Sequence, residues 1–193
     1  MGDRRWVGIP RVPFPISQIP IMDELNGLKL ADLNQALEAI KADPEKAQTY
    51  RWSARARWMR GFKSKVTARD HQFVVDEPAG FASVDEAPTA VEYVLGAFGA
   101  CLATGFVYNA TKRGIELYNM EVALEGATDN VLTFLGLSDE GHAGYREITA
   151  KLYVQADADE AALREVWEQT VKTSPVGNSL SRAVSLKPEL AVV

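Results

Sequence analysis

Residues 88–114 read PTAVEYVLGAFGACLATGFVYNATKRG, and the organisation of the whole chain turns on this stretch. Pro88-Thr89 opens a helical pattern that runs to about Lys112. Gly114 stands just past its end, where a residue free to turn left-handed closes a helix. Glu92 is the only charged side chain between Glu86 and Lys112. The apolar run from Val94 to Val107 falls short of the roughly 20 residues that a bilayer core demands, so it reads as a buried helix. Within it, Gly96, Ala97, Gly99, Ala100, Ala103 and Gly105 let another backbone or a partner helix approach closely, and Cys101 lies among them.

On the N-terminal side, Arg51 to Trp58 alternates strictly. Trp52, Ala54, Ala56 and Trp58 fall on one side and Arg51, Ser53, Arg55 and Arg57 on the other, which predicts a half-buried strand with a basic outer face. Turns at Arg60-Gly61 and Arg69-Asp70 separate it from strands over Phe62 to Ala68 and Gln72 to Val75, giving three antiparallel strands. On the C-terminal side, Met120, Val122 and Leu124 alternate with polar or small residues, as do Ile148, Ala150, Leu152 and Val154, so two further strands are expected to pair. Leu163, Val166, Trp167, Thr170 and Val171 form one helical stripe, with Asp157 as the expected cap and Glu160 completing a capping box. Ser174-Pro175 starts another short helix. Val184, Leu186, Leu190 and Val192 suggest a closing strand at a sheet edge around Pro188. Strands, helix, strands, helices is an α+β order. Trp52, Trp58 and Trp167 are assigned to core stripes.

The first 50 residues differ in character. Four of the nine prolines, Pro10, Pro13, Pro15 and Pro20, make residues 1–20 an extended arm, which Trp6 is expected to anchor. From Met22 to Gln48 a helical extension is expected, with Leu30, Leu33, Leu37 and Ile40 on one face, Asp32 as cap and a break at Pro44. The expected domains are thus residues 1–50, arm and helical extension, and residues 51–193, the main domain.

The 193 residues carry 21 Lys plus Arg against 26 Asp plus Glu, a formal charge of −5, so neither nucleic acid nor an anionic membrane surface is an expected partner. One cysteine excludes an internal disulfide or a thiolate metal cage and suits a reducing compartment. His71 and His142 have no ligand at metal spacing, so no metal or other cofactor is expected. No signal peptide is visible, and a cytoplasmic location is the default.

Cys101 lies three to four turns inside the predicted helix, beyond the first turn where the helix dipole acts. A cation from elsewhere in the fold must then activate it, and without one the thiol is a small buried hydrophobe. Glu92 suits the helix N-terminus electrostatically. Nine residues at about 100° each place it on the face opposite Cys101, so a common site requires a symmetric dimer or an irregular first turn.

Asp76-Glu77-Pro78, the loop to Pro88, the Glu92 to Cys101 helix, Lys112-Arg113-Gly114-Ile115, the Asp129 turn, Gly144 to Val154, and Ser174-Pro175-Val176 with Ser179-Leu180 together resemble the OsmC/Ohr superfamily. The resemblance spans residues 51–193 and leaves the first 50 outside it. It implies an intertwined homodimer in which antiparallel sheets wrap two long central helices. In its characterised branches it also implies a cysteine peroxidase that reduces organic hydroperoxides in oxidative stress defence. Carried over, Cys101 is the peroxidatic cysteine, Arg60 or Arg69 the activating arginine, and Glu92 the glutamate that fixes the guanidinium fork. Two departures stand out. Ser174 occupies the resolving-cysteine position, so an oxidised Cys101 would need an external thiol reductant or a second subunit's Cys101. Ala90 replaces a proline at the helix start, and the Glu92 register resembles the broader OsmC-like group. Two readings follow: a single-cysteine thiol peroxidase, or an inactive dimer binding a small apolar ligand at its interface. In a third, residues 1–50 cover the site or recruit a partner.

Overall fold

The computed structural model describes residues 23–48 and 50–192. In chain order it comprises β1 (Glu24–Leu25), β2 (Leu28–Lys29), α1 (Leu30–Ala42), α2 (Pro44–Ala47), β3 (Arg55–Arg60), β4 (Lys63–Ala68), β5 (His71–Val75), α3 (Ala90–Lys112), β6 (Leu117–Thr128), α4 (Val131–Phe134), β7 (Tyr145–Ala156), α5 (Glu160–Thr173) and α6 (Pro175–Ser181). A turn of 3₁₀ helix, Ala79–Phe81, lies in the loop before α3. The α+β class read from the sequence is the one observed. The expected arm, residues 1–20 with Trp6, lies outside the described residues.

Both ends of α3 are written in its flanking residues. Thr89 is the N-cap: its Oγ1 accepts from Glu92 N at 3.2 Å while the Glu92 carboxylate accepts from Thr89 N at 2.7 Å, a full capping box. At the other end Gly114 turns left-handed (φ 71°), Gly114 N donates to Thr111 O and Ile115 N donates to Ala110 O, a Schellman closure. Leu102, Phe106 and Ala110 are completely buried. Phe106 and Ala110 join Ile115 and Val166 in the core, with Met120, Leu152, Val154 and Trp167 packed around them. This core lies where α3 and α5 meet one face of the β6–β7 hairpin. Its register, Met120↔Val154, Val122↔Leu152 and Leu124↔Ala150, puts the apolar set on a single side. Small residues admit the close approach: a Cβ at Gly99 would lie 2.6 Å from Leu124 Cδ1, and one at Gly105 would lie 3.0 Å from Thr170 Cγ2.

Strands β3, β4 and β5 form a separate antiparallel sheet in that order. Ala56, Val66 and Phe73 share one face and Arg55, Arg57 and Lys65 the other. The sheet joins α3 through Tyr93, whose hydroxyl donates to Val74 O at 2.8 Å and whose ring lies 4.7 Å from that of Phe73.

Several expectations are corrected. The first long strand begins at Arg55, not Arg51, and is exposed on both faces, because among the described residues no layer covers its apolar side. Trp52 is 82% and Trp58 71% exposed, so neither belongs to the core. Asp159, not Asp157, caps α5, accepting from Ala162 N at 2.8 Å. Asp157 is committed to Glu116 N just before β6, and with Asp159 at the cap the third helical residue is Ala162, which has no carboxylate, so no capping box forms. Asp32 sits in the first turn of α1, because the helix follows directly on β2 and its cap position falls to Lys29. The segment 184–192 is not a strand: among the described residues nothing pairs with it, and Leu186, Leu190 and Val192 remain largely exposed. Helix α3 spans 23 residues, Ala90–Lys112, as its flanking signals predicted, and its most apolar 18-residue stretch has a mean hydropathy of 1.6. Its buried residues and its contacts with sheet and helix mark it as a core helix.

An unexpected hairpin precedes α1. Asn26 (φ 56°) and Gly27 (φ 76°) turn between β1 and β2, the left-handed pair that a tight hairpin requires. The Asn26 amide donates to Thr111 Oγ1 (3.0 Å) and Ile115 O (2.9 Å), and its oxygen accepts from Leu117 N (2.7 Å). The N-terminal extension is thereby fastened to the junction between α3 and β6.

Candidate functional site

Cys101 is partly buried on the side of α3 that faces α5 and α6. Its Sγ lies 3.2 Å from Ser174 Oγ, where either atom can be the donor. Ser174 is 3% exposed and held from several directions. It ends α5, with its N–H directed to Val171 O, and caps α6, its Oγ accepting from Gly177 N at 3.0 Å. Its carbonyl accepts from both the backbone and the side-chain nitrogen of Asn178. Gly177 permits the fit, since a Cβ there would lie 3.0 Å from Phe98 Cε2. Cys101 and Ser174 are thus neighbours, although 73 residues separate them in the chain.

Glu92 is an exposed residue in the capping box, and the Thr89 backbone N–H, followed by the Thr89 hydroxyl, holds its carboxyl below the ordinary carboxylate range. It takes no part in the Cys101 contact. Arg60 ends β3 and Arg69 (φ 55°) occupies the turn between β4 and β5. Both are exposed, and among the described residues neither forms an ion pair or a hydrogen bond with Cys101 or Glu92. One chain therefore brings together Cys101 and Ser174, and does not bring the arginines or the glutamate to them.

The loop entering α3 is organised by a residue whose role the sequence reading did not assign. Asp76 is completely buried; its carboxylate accepts from the Ser83 hydroxyl and from Glu86 N at 3.1 Å. The Ser83 hydroxyl first, then the Glu86 N–H, hold it below the ordinary carboxylate range, with the Lys63 charge adding a little. Asp76 N also bonds Pro88 O, so the loop is closed at both ends. Beside Glu92, the Tyr145 hydroxyl donates to Val91 O at 2.8 Å. Burial raises its pKa and the Glu92 charge adds to the shift. His71 is exposed, and His142 Nδ1 accepts from Gly144 N. No cluster of His, Cys, Asp and Glu suited to a metal occurs among the described residues. A surface pocket of about 210 Å³, lined by Asn26, Val107, Leu117, Tyr118, Asn119 and Met120, does not include Cys101.

Against known proteins, the family model described as OsmC-like protein matches residues 83–189. Among solved structures, an OsmC-like protein from Mycoplasma pneumoniae is similar with a TM-score of 0.59 at 17% identity, over 68% of this chain and 88% of that one. An OsmC-like protein of unknown function from Vibrio cholerae gives 0.57 at 12%, over 68% and 94%. An organic hydroperoxide resistance protein OsmC from Legionella pneumophila gives 0.53 at 13%, over 68% and 89%. These likenesses establish the fold. No curated protein matches the sequence.

Proposed function

The chain belongs to the OsmC-like protein family, and from that membership we propose that it works as a homodimeric, single-cysteine thiol peroxidase on small organic hydroperoxides. The observation that carries this reading is the Cys101 contact: a partly buried thiol beside a hydroxyl at the position where the resemblance expects a second sulfur.

In the reaction, the Cys101 thiolate attacks the terminal oxygen of the hydroperoxide. The O–O bond breaks, the alkoxide leaves and takes a proton to become an alcohol, and the sulfur is left as sulfenic acid. Ser174 offers no thiol to condense with it. An external thiol therefore forms a mixed disulfide with loss of water, and a second thiol displaces Cys101 as thiolate, leaving the reductant as its disulfide. A guanidinium beside the sulfur favours the thiolate and holds the leaving oxygen. Arg60 or Arg69 has that role in this proposal, delivered by the second subunit, with Glu92 fixing its fork.

Exposed apolar surface supports the dimer. Gly96, Ala97, Ala100 and Thr104 form an open small-residue face along α3, and Trp52, Trp58, Leu186 and Leu190 are more than two-thirds exposed. Sedimentation should show a dimer. Intact-mass analysis after brief treatment with sub-stoichiometric cumene hydroperoxide and a sulfenic-acid trap should show one trapped adduct. It should disappear in Cys101→Ser, together with peroxide consumption supported by dithiothreitol. Unmodified Cys101 under conditions that oxidise a reference peroxidase, or undiminished turnover by Cys101→Ser, overturns the enzymatic reading in favour of a dimer that binds a small apolar ligand.

A further inference from the structure

We propose that Ser174 is a positioning residue for the Cys101 sulfur, its hydroxyl donating to that sulfur when it is anionic and so favouring the thiolate. The inference rests on the peroxidase reading for its purpose, but its chemistry is independent of any peroxide. A serine hydroxyl has one hydrogen and two acceptor sites. One acceptor site is taken by Gly177 N. The hydrogen is free for the sulfur 3.2 Å away. A neutral thiol can meet the hydroxyl as donor or acceptor, whereas a thiolate can only accept, and hydrogen bonds to an ionised acceptor are the stronger ones. Because Ser174 is buried and fixed by Val171, Gly177 and Asn178, its oxygen stays in place when the thiol proton departs to solvent.

Capping α6 is the competing explanation for this serine, and variants separate the two. Alkylation of Cys101 by iodoacetamide should be followed against pH in the wild type, Ser174→Ala, Ser174→Gly and Ser174→Thr, with thermal unfolding of each. Glycine is tolerated at an N-cap at little cost, and threonine keeps both cap and hydroxyl. Losing a hydrogen bond to the reacting sulfur is expected to slow alkylation about threefold at neutral pH. The alanine and glycine variants should show that slowing with profiles displaced to higher pH, while threonine keeps the wild-type profile. If alanine lowers only the melting temperature and all four profiles coincide, or if threonine shifts as far as alanine, the proposal fails. Displaced profiles in a protein that consumes no peroxide would remove the peroxidase reading and leave this one standing.

Discussion

Asp76 couples the loop before α3 to pH. Its carboxylate is held below the ordinary range by the Ser83 hydroxyl and the Glu86 amide, so the unfolded chain binds that proton at higher pH than the folded one. Its contribution is fully present above the unfolded value, near 3.8, and is lost as pH falls through the lower folded value. Glu92, depressed by Thr89, acts in the same direction. Chemical denaturation followed from about pH 5 to pH 2 should show stability declining in the wild type and a flatter acid limb in Asp76→Asn; equal acid slopes in the two proteins would refute the role given to Asp76. At this scale the sequence identified Cys101 and Ser174 separately. Nothing in their spacing could place one beside the other, and only the resemblance suggested a relation. The arginines were legible as turn residues, but a turn position does not say which surface the turn will meet.

Elements are where the sequence spoke most clearly, because their signals are local. Thr89 and Gly114 bracket α3, the alternation of β6 and β7 sets their pairing, and Ser174-Pro175 starts α6. Failures came where the partner of a pattern lies elsewhere. Alternation over residues 51–58 promises a covered face without saying what covers it, and the apolar residues 184–192 find no strand among the described residues. Asp157 and Asp159 are equally good caps by type, and the need of Glu116 N for an acceptor decides between them. Glycine positions give a quantitative check on these contacts. An alanine Cβ at Gly126 would lie 2.8 Å from Tyr145 Cδ1 and 3.1 Å from Leu95 Cδ2. The Tyr145 ring is rigid and anchored to Val91 O, so Gly126→Ala should cost about 1–3 kcal/mol in urea denaturation. At Gly99 the obstacle is a terminal methyl of Leu124 that can rotate away. Removing a mid-helix glycine gains back about 0.5–1 kcal/mol, so Gly99→Ala should be the milder change. The reverse order would show that the β6–β7 hairpin yields more readily than the α3–β6 contact.

For the molecule as a whole, the Asn26 side chain is a hydrogen-bonded anchor between the described part of the N-terminal extension and the domain. Helix α1 has no buried residue of its own, whereas Asn26 makes three hydrogen bonds to residues 111, 115 and 117. Asn26-Gly27 is a strong turn signal, and it escaped the sequence reading because the strands it joins are only two residues long. Asn26→Ala should lower stability by about 2–3 kcal/mol, by losing those bonds and straining a left-handed position, and should make α1 susceptible to protease. Asn26→Gly, which keeps the turn, should be destabilised less; unchanged melting and proteolysis in both would dismiss the anchor. The anchor also imposes an order on biosynthesis. Ribosomes deliver the hairpin long before residues 111 to 117 exist, so the earliest of these pieces to emerge is among the last able to dock. Until that moment the nascent extension carries Leu30, Leu33, Leu37 and Ile40 without a tether, the kind of surface a chaperone holds.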